Sequence, residues 1–471
     1  MLVTDRTGRF ALLLALALSG AAGAQDGQQT ALPEPLTETI DSSTQDLLVP
    51  RVGEDRNLHA WSEYYASSLE SEQYDQAVDA AEQMLEIAVD AMGDDSRLAT
   101  NAALALAWAQ RGAGDMLQAV NSYREAISMI ESREGIFSPE LVDPLIELGH
   151  AYHEGGEEQL AVDAMLRARH VTHRNQGLFN TDQMRIVDYL TELYFATGEI
   201  VDANREQNYA FRIVERDCNG VEVCMVDGIY KLAEWHVRTL RFASARKLYR
   251  RAIAAIEADA GPNDLRLVEA LQGIASSYKK EGSRRKDGEV ALRRAVDIYA
   301  SQPYSDSVEH VKALAQLGDW HTLKGDYEKA RTTYREAWEV LVAQGATPEQ
   351  ADAFFEQPAK LRYFPPTPTG ADQAWRPSRI ADSKMVVQFT VTAEGRVTGV
   401  RVVEADVSPR VQLQVREQVK RARYRPRLVN GEVVPTSGVR LVQDFDYVRN
   451  LPSSFVGSPL GQQTCRPPLC R

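Results

Sequence analysis

The sequence predicts a mainly α protein: an α-solenoid of helical hairpins followed by a small α+β unit of order strand, strand, helix, strand. Three observations carry this reading. Between about Leu58 and Gln344 the chain repeats itself with a period of 42 residues. A Pro-rich stretch (PAKLRYFPPTPTGAD, 358–372) then ends the helical pattern, because proline removes an amide donor and clashes with the preceding turn. Beyond it, apolar residues recur at every second position, the period of a strand. The composition agrees: 44% hydrophobic and 25% charged over 471 residues allow about three domains and exclude a polytopic membrane protein or wholesale disorder.

The first 24 residues read as a secretory leader. Arg6 and Arg9 form its positive end, Phe10 to Leu18 its apolar core, and Ala22-Gly23-Ala24 a small-residue cleavage site. The apolar stretch falls short of the roughly 20 residues a spanning helix needs. No Cys follows the cleavage site, so a lipid anchor is not expected. The expected location is the periplasm, with a flexible segment over 25–57. A retained leader would instead anchor the chain in the inner membrane. Export permits disulfides. The four cysteines fall in two close pairs, Cys218/Cys224 and Cys465/Cys470. Neither has C-x-x-C spacing, so no redox motif is indicated, and free thiols remain the alternative.

Residues 58–352 form the repetitive part, about seven units. The clearest unit carries Leu145, Leu148, Gly149, Tyr152, Gly156, Ala161, Met165 and Ala168; the last carries Leu314, Leu317, Gly318, His321, Gly325, Ala330, Tyr334 and Ala337. Apolar residues three and four apart make one stripe of a helix. Gly156 and its counterparts supply a turn after the first helix. Small residues where two helices cross allow close approach, and large ones fill the neighbouring hairpin. A single hairpin cannot bury its apolar face, so neighbours stack. This pattern resembles the tetratricopeptide repeat family, in the long variety found in kinesin light chains, since the period exceeds the 34 residues of the common repeat. The resemblance implies a binding scaffold whose first helices line a groove. The groove positions are then His150, His153 and Glu154 in the third unit, Glu192 and Phe195 in the fourth, Glu234 and Arg238 in the fifth, and Lys279 and Lys280 in the sixth; solvated helix faces are the plainer reading of the same residues.

His150-x-x-His153-Glu154 and His170-x-x-His173 place paired imidazoles on one helix face, a spacing that suits a metal. The H-E-x-x-H order is absent and no third and fourth ligand is evident, so neither a metal nor a cofactor is expected. A net charge of -14 argues against nucleic acid as a partner. No phosphate-binding loop, G-x-S-x-G or dinucleotide fingerprint occurs, so an enzyme is not expected.

Residues 353–377 read as a Pro-rich linker, 378–450 as the α+β unit and 451–471 as a tail. Met385 to Val391 is a strand rich in β-formers, Thr392 to Arg396 a turn, and Val397 to Glu404 the return strand. Ser408 caps a helix that opens on Pro409, with Val411, Val415 and Val419 on one face. Asn430-Gly431-Glu432 is a turn before a final strand, Val439 to Tyr447. Val387 to Val391, Glu394 to Val397, Tyr424-Arg425-Pro426, Asn430 to Val434 and Phe445 resemble the C-terminal domain of TonB, the energy transducer of Gram-negative envelopes. The resemblance implies that the last strand offers an open edge to an extended peptide of an outer-membrane transporter. Here that edge would be Val439, Arg440, Leu441, Val442, Gln443, Asp444 and Phe445. Lys420, Arg421, Arg423, Arg425 and Arg427 precede it, facing anionic envelope polymers such as peptidoglycan or simply solvent. Counting from Arg376 to Arg449 gives 14 basic against 8 acidic residues, so a basic unit follows an acidic body. The expected function is a periplasmic adaptor with two protein partners. The alternative is a membrane-tethered transducer variant.

Overall fold

The computed structural model describes residues 56–283, 286–302, 307–366 and 383–445. The expected leader, the segment 25–55, and the tail with Cys465 and Cys470 lie outside the described residues. The chain divides into two compact units, with the boundary between Ala351 and Asp352.

The first unit is built from seven helical hairpins: α1 (Arg56–Glu70) with α2 (Tyr74–Met92), α3 (Arg97–Gly112) with α4 (Met116–Glu134), α5 (Val142–Glu154) with α6 (Glu158–Gln176), α7 (Met184–Ala196) with α8 (Ile200–Asp217), α9 (Val226–Arg238) with α10 (Phe242–Ala260), α11 (Leu267–Lys280) with α12 (Asp287–Ser301), and α13 (Ser307–Lys324) with α14 (Tyr327–Ala343). The long period has a simple cause: second helices such as α2, α4, α6 and α10 run 19 residues, against 13 for the first helices α5, α7 and α9.

Each hairpin turns in the same way. In the second, Asp115 N donates to Gln110 O (2.9 Å) and Gly114 N to Arg111 O (2.9 Å), the paired bonds that close a helix on a left-handed residue. The residue in that conformation is Gly114, Gly156, Gly198, Gly282 and Gly325 in the second, third, fourth, sixth and seventh hairpins, but Glu72 in the first and Leu240 in the fifth. A second left-handed series joins the hairpins: Gly93, Gly135, Gly177, Asn219, Gly261 and Gly345, on a 42-residue grid. Inside the hairpins, small residues face large ones. A Cβ on Gly149 would lie 2.7 Å from Met165 Cε, and one on Gly318 would lie 2.4 Å from the Tyr334 ring. The fourth hairpin replaces this apolar contact with a buried polar one, Gln207 Nε2 donating to Thr191 Oγ1 at 3.2 Å.

After α15 (Pro348–Phe354), the second unit contains β1 (Ala359–Arg362), β2 (Ser383–Val391), β3 (Val397–Ala405), α16 (Pro409–Arg421), β4 (Arg423–Arg425), β5 (Arg427–Val429), β6 (Glu432–Val434) and β7 (Thr436–Phe445). The main sheet has the order β3-β2-β7, antiparallel throughout. Met385, Val387, Phe389 and Val391 point to one face and are buried with Val411, Val415 and Val419 of α16, which starts where expected, with Ser408 Oγ accepting from Val411 N. Two smaller ribbons were not expected. The β5–β6 hairpin turns on Asn430 and Gly431, both at positive φ, as a two-residue hairpin turn demands. β1 forms in the Pro-rich stretch read as a linker and pairs with β4. Four residues bounded by prolines are too few to show a period, and their partner lies some sixty residues on.

Candidate protein-binding surfaces

Strand β7 has β2 on one side and, among the described residues, no strand on the other. Its register is fixed by Met385 opposite Gln443, Val387 opposite Leu441 and Phe389 opposite Val439. Lys384 O accepts from Asp406 N on the β3 side (2.9 Å). Backbone groups alternate in direction along an extended strand, so Met385, Val387 and Phe389 address β7 and are answered by Gln443, Leu441 and Val439. The backbone amides and carbonyls of Arg440, Val442 and Asp444 therefore lie on the outer edge. Leu441 and Phe445 are buried in the core and Val442 is exposed, so the side chains alternate as well. Near the start of the strand, Ser437 and Gly438 oppose Thr390 alone; this bulge uses Gly438 at φ 76°.

The first helices of the hairpins carry the other expected positions, and the structure treats them unequally. Glu154 accepts a forked pair of bonds from Arg111 (2.9 and 3.0 Å), which also reaches Glu147 (2.5 Å). Glu192 is paired in the same way with Arg238 (2.5 and 2.7 Å), whose guanidinium lies 4.0 Å from the centre of the Phe195 ring. Phe195 in turn meets Trp235 edge-on. Asp143 pairs with Arg185 and Asp188 with Lys231, so a ladder of ions joins successive first helices across hairpins two to five. Sequence reasoning missed Asp143, Arg185, Asp188 and Lys231. Their signal was opposite charge one repeat period apart. Glu234 and Glu269 are both exposed, and partial desolvation, with Glu234 and Asp227 adding to it, holds the Glu269 carboxyl above its ordinary pKa. Lys279 and Lys280 are exposed at the end of α11.

His150 is a correction. It does not face a groove: it is 8% exposed and stacks on Tyr189, with ring centres 4.3 Å apart. Burial, with Arg111, His153 and Arg185 adding to it, lowers its pKa to about 3, so the ring is neutral. Its position on the apolar side of α5, next to Gly149, makes it part of the packing between hairpins. His153 Nδ1 meets Glu158 Oε2 at 2.7 Å, His170 packs beside Phe137, and His173 Nε2 meets Gln183 Oε1 at 2.7 Å. His150 and His153 both meet the Tyr189 ring, whereas His170 and His173 have partners of their own. No group of three or more potential metal ligands occurs among the described residues. Cys218 and Cys224 form a disulfide, Cα to Cα 5.6 Å, across the turn between α8 and α9. No helix among the described residues is long and apolar enough to cross a membrane.

No curated protein matches the chain. Solved structures of repeat proteins do. BtubC (BKLC) from P. vanneervenii shares 19% identity, with 50% of this chain and 95% of that one covered at a TM-score of 0.35. The nearly identical TPR-like repeats of a kinesin light chain candidate from Podosopora anserina share 17%, covering 44% and 99% at 0.37. The C-terminal part of a TPR repeat-containing protein from Cytophaga hutchinsonii shares 11%, covering 61% and 97% at 0.38. Scores this low add no argument of their own; the repeat assignment rests on the hairpins and their turns. Residues 379–445 match the family described as Gram-negative bacterial TonB protein C-terminal, and the chain thus joins tetratricopeptide-like helical hairpins to a TonB-like C-terminal unit.

Proposed function

We propose that this protein is a non-enzymatic adaptor of the Gram-negative envelope. The face formed by the first helices of the solenoid holds one protein partner. The outer edge of β7 takes an extended segment of a second partner, such as an outer-membrane transporter, by strand addition. The observation that carries this reading is the outward direction of the Arg440, Val442 and Asp444 backbone groups in a domain matched to the TonB C-terminal family. An added strand would bond those groups through its own backbone, and affinity would depend little on its side chains. The periplasm is the compartment that suits both the family and the leader-like first 24 residues. The solenoid partner would meet the ion ladder and the Phe195 and Arg238 side chains.

The test is Val442→Pro. Proline removes the outward amide at that position and adds bulk to the edge, while the bonds of β7 to β2 use its neighbours. Affinity capture from a native envelope should recover fewer proteins with the variant, and those lost should be the ones that a wild-type second unit captures. Recovery of the same proteins by wild type and variant would exclude strand addition at β7. Mass spectrometry of the mature N-terminus tests the compartment: a chain starting at Gln25 supports an untethered adaptor, and an intact leader a tethered one.

A further inference from the structure

Arg440, Val442 and Asp444, whose backbone groups face outward from β7, also share a side-chain face. Leu441 and Phe445 are buried in the core, so alternation puts these three on the opposite, solvent-facing side of the sheet. Each continues a row across that side. Arg440 lies opposite Gln388, whose Oε1 already accepts from Arg401 of β3 (2.5 and 3.0 Å). Val442 lies opposite the half-buried Val386. Asp444 lies opposite Lys384, whose ammonium bridges instead to Glu404 of β3 at 3.2 Å.

The polar neighbours on β2 are thus engaged with β3. The Arg440 guanidinium and the Asp444 carboxylate have no ion-pair or hydrogen-bond partner among the described residues, and between them Val442 is 44% exposed. Along its outer edge β7 therefore presents an unpaired cation, an uncovered β-branched side chain and an unpaired carboxylate, spaced about 6.8 Å apart by the strand repeat. A strand added beside β7 places every second side chain on this same face, abreast of these three. Opposite charges and β-branched pairs abreast of one another stabilise a sheet, and like charges oppose it.

We infer that β7 selects its guest at three alternate positions: an acidic residue abreast of Arg440, a β-branched apolar residue abreast of Val442 and a basic residue abreast of Asp444. This selection rests on strand addition at β7 and names the segment taken: an extended stretch with an acidic and a basic residue four apart and Val or Ile midway. The backbone bonds hold the guest, and the three side chains decide which segment is preferred.

The experiment uses the full chain and fluorescence anisotropy. The labelled probes are Lys-Thr-Val-Thr-Glu and Glu-Thr-Val-Thr-Lys, each flanked by threonine, and two further peptides in which both charged positions are Lys or both are Glu. The better of the two mixed peptides should bind about fivefold more tightly than either like-charged one, because each like-charged peptide sets one like charge abreast of β7 in either direction. The protein's net charge of -14 does not produce that ranking, since a long-range field favours peptides steadily as they become more positive. Asp444→Arg should make the doubly acidic peptide the tightest, against the net charge. A ranking that follows peptide charge through the mixed pair, or one that Asp444→Arg leaves unchanged, overturns the three-position selection and leaves strand addition standing. Failure of all four peptides to bind, or equal binding by wild type and Val442→Pro, removes strand addition and the selection with it. The ranking of the four peptides is measured on the unmodified chain, so it does not depend on how well a variant folds.

Discussion

Leu240 occupies a position where the neighbouring repeats have glycine. Its φ is 60°, and the bonds around it are those of the other turns: Arg241 N to His236 O at 2.7 Å and Leu240 N to Val237 O at 3.2 Å. A branched side chain in this conformation costs about 1–2 kcal/mol, because its Cβ crowds the following carbonyl. Leu240 is also 71% exposed, so little burial offsets the cost. Leu240→Gly should therefore stabilise the solenoid by about 1 kcal/mol, after allowing for glycine's greater freedom when unfolded. A urea midpoint that falls instead would mean that the side chain contributes packing beyond what its exposure suggests. Glycines inside the helices work differently. Gly318 meets the Tyr334 ring, and that ring is held by bonds to Asp319 (2.8 Å) and Thr322 (3.0 Å), so it has little room to yield to a methyl group.

Hairpins are joined by ion pairs as well as by apolar contact, and one such pair is deeply placed. Arg169 of α6 donates to Glu206 of α8 at 2.7 Å, and the Glu206 side chain is 7% exposed. Removing one partner of a buried pair leaves the other charge uncompensated, whereas replacing both with apolar groups is often neutral. Arg169→Met should cost about 3 kcal/mol, and adding Glu206→Leu should recover most of it. Denaturant midpoints of the two variants decide this: a single change as mild as the double one would show that Glu206 still reaches water. These elements also show how far the sequence could be read. Leucine, glycine and alanine spacing placed every hairpin, because burial against a neighbour forces that pattern onto each copy. The β2–β3 hairpin and α16 were legible for the same reason, with alternation, a turn glycine and the Ser408 cap marking their ends. Partners brought together from distant segments were not legible. β1 needs β4, His150 needs Tyr189, and Arg169 needs Glu206, and no local period reports such meetings.

For the solenoid as a whole, acidity should act through buried imidazoles before it acts through carboxylates. His150, His236, His310 and His321 all have pKa values lowered by burial; they lie in three hairpins, His310 and His321 both on α13. A lowered histidine pKa means that the fold holds the neutral ring, while the unfolded chain takes up a proton near pH 6.5. The unfolded state then binds more protons, so stability falls as pH drops below that value. For His150, whose pKa is about 3, the loss continues through the whole window between. Carboxylates held low, such as Glu222 by Arg251 and Asp264 by Arg266, lose their contribution only nearer their ordinary range, at lower pH. Between about pH 6.5 and about pH 5 the histidines act against the fold, while the Glu269 and Glu336 carboxyls, raised by burial, act in its favour, so the contribution of His150 is read from the difference between wild type and a His150 variant. Over that interval one fully depressed imidazole accounts for about 2 kcal/mol. Denaturant midpoints should fall on going from about pH 7.5 to about pH 5, and His150→Phe, which can keep a ring stacked on Tyr189, should reduce the fall by about that amount. Parallel pH profiles for wild type and variant would mean that His150 becomes protonated without leaving the fold, and the neutral buried ring would have to be abandoned.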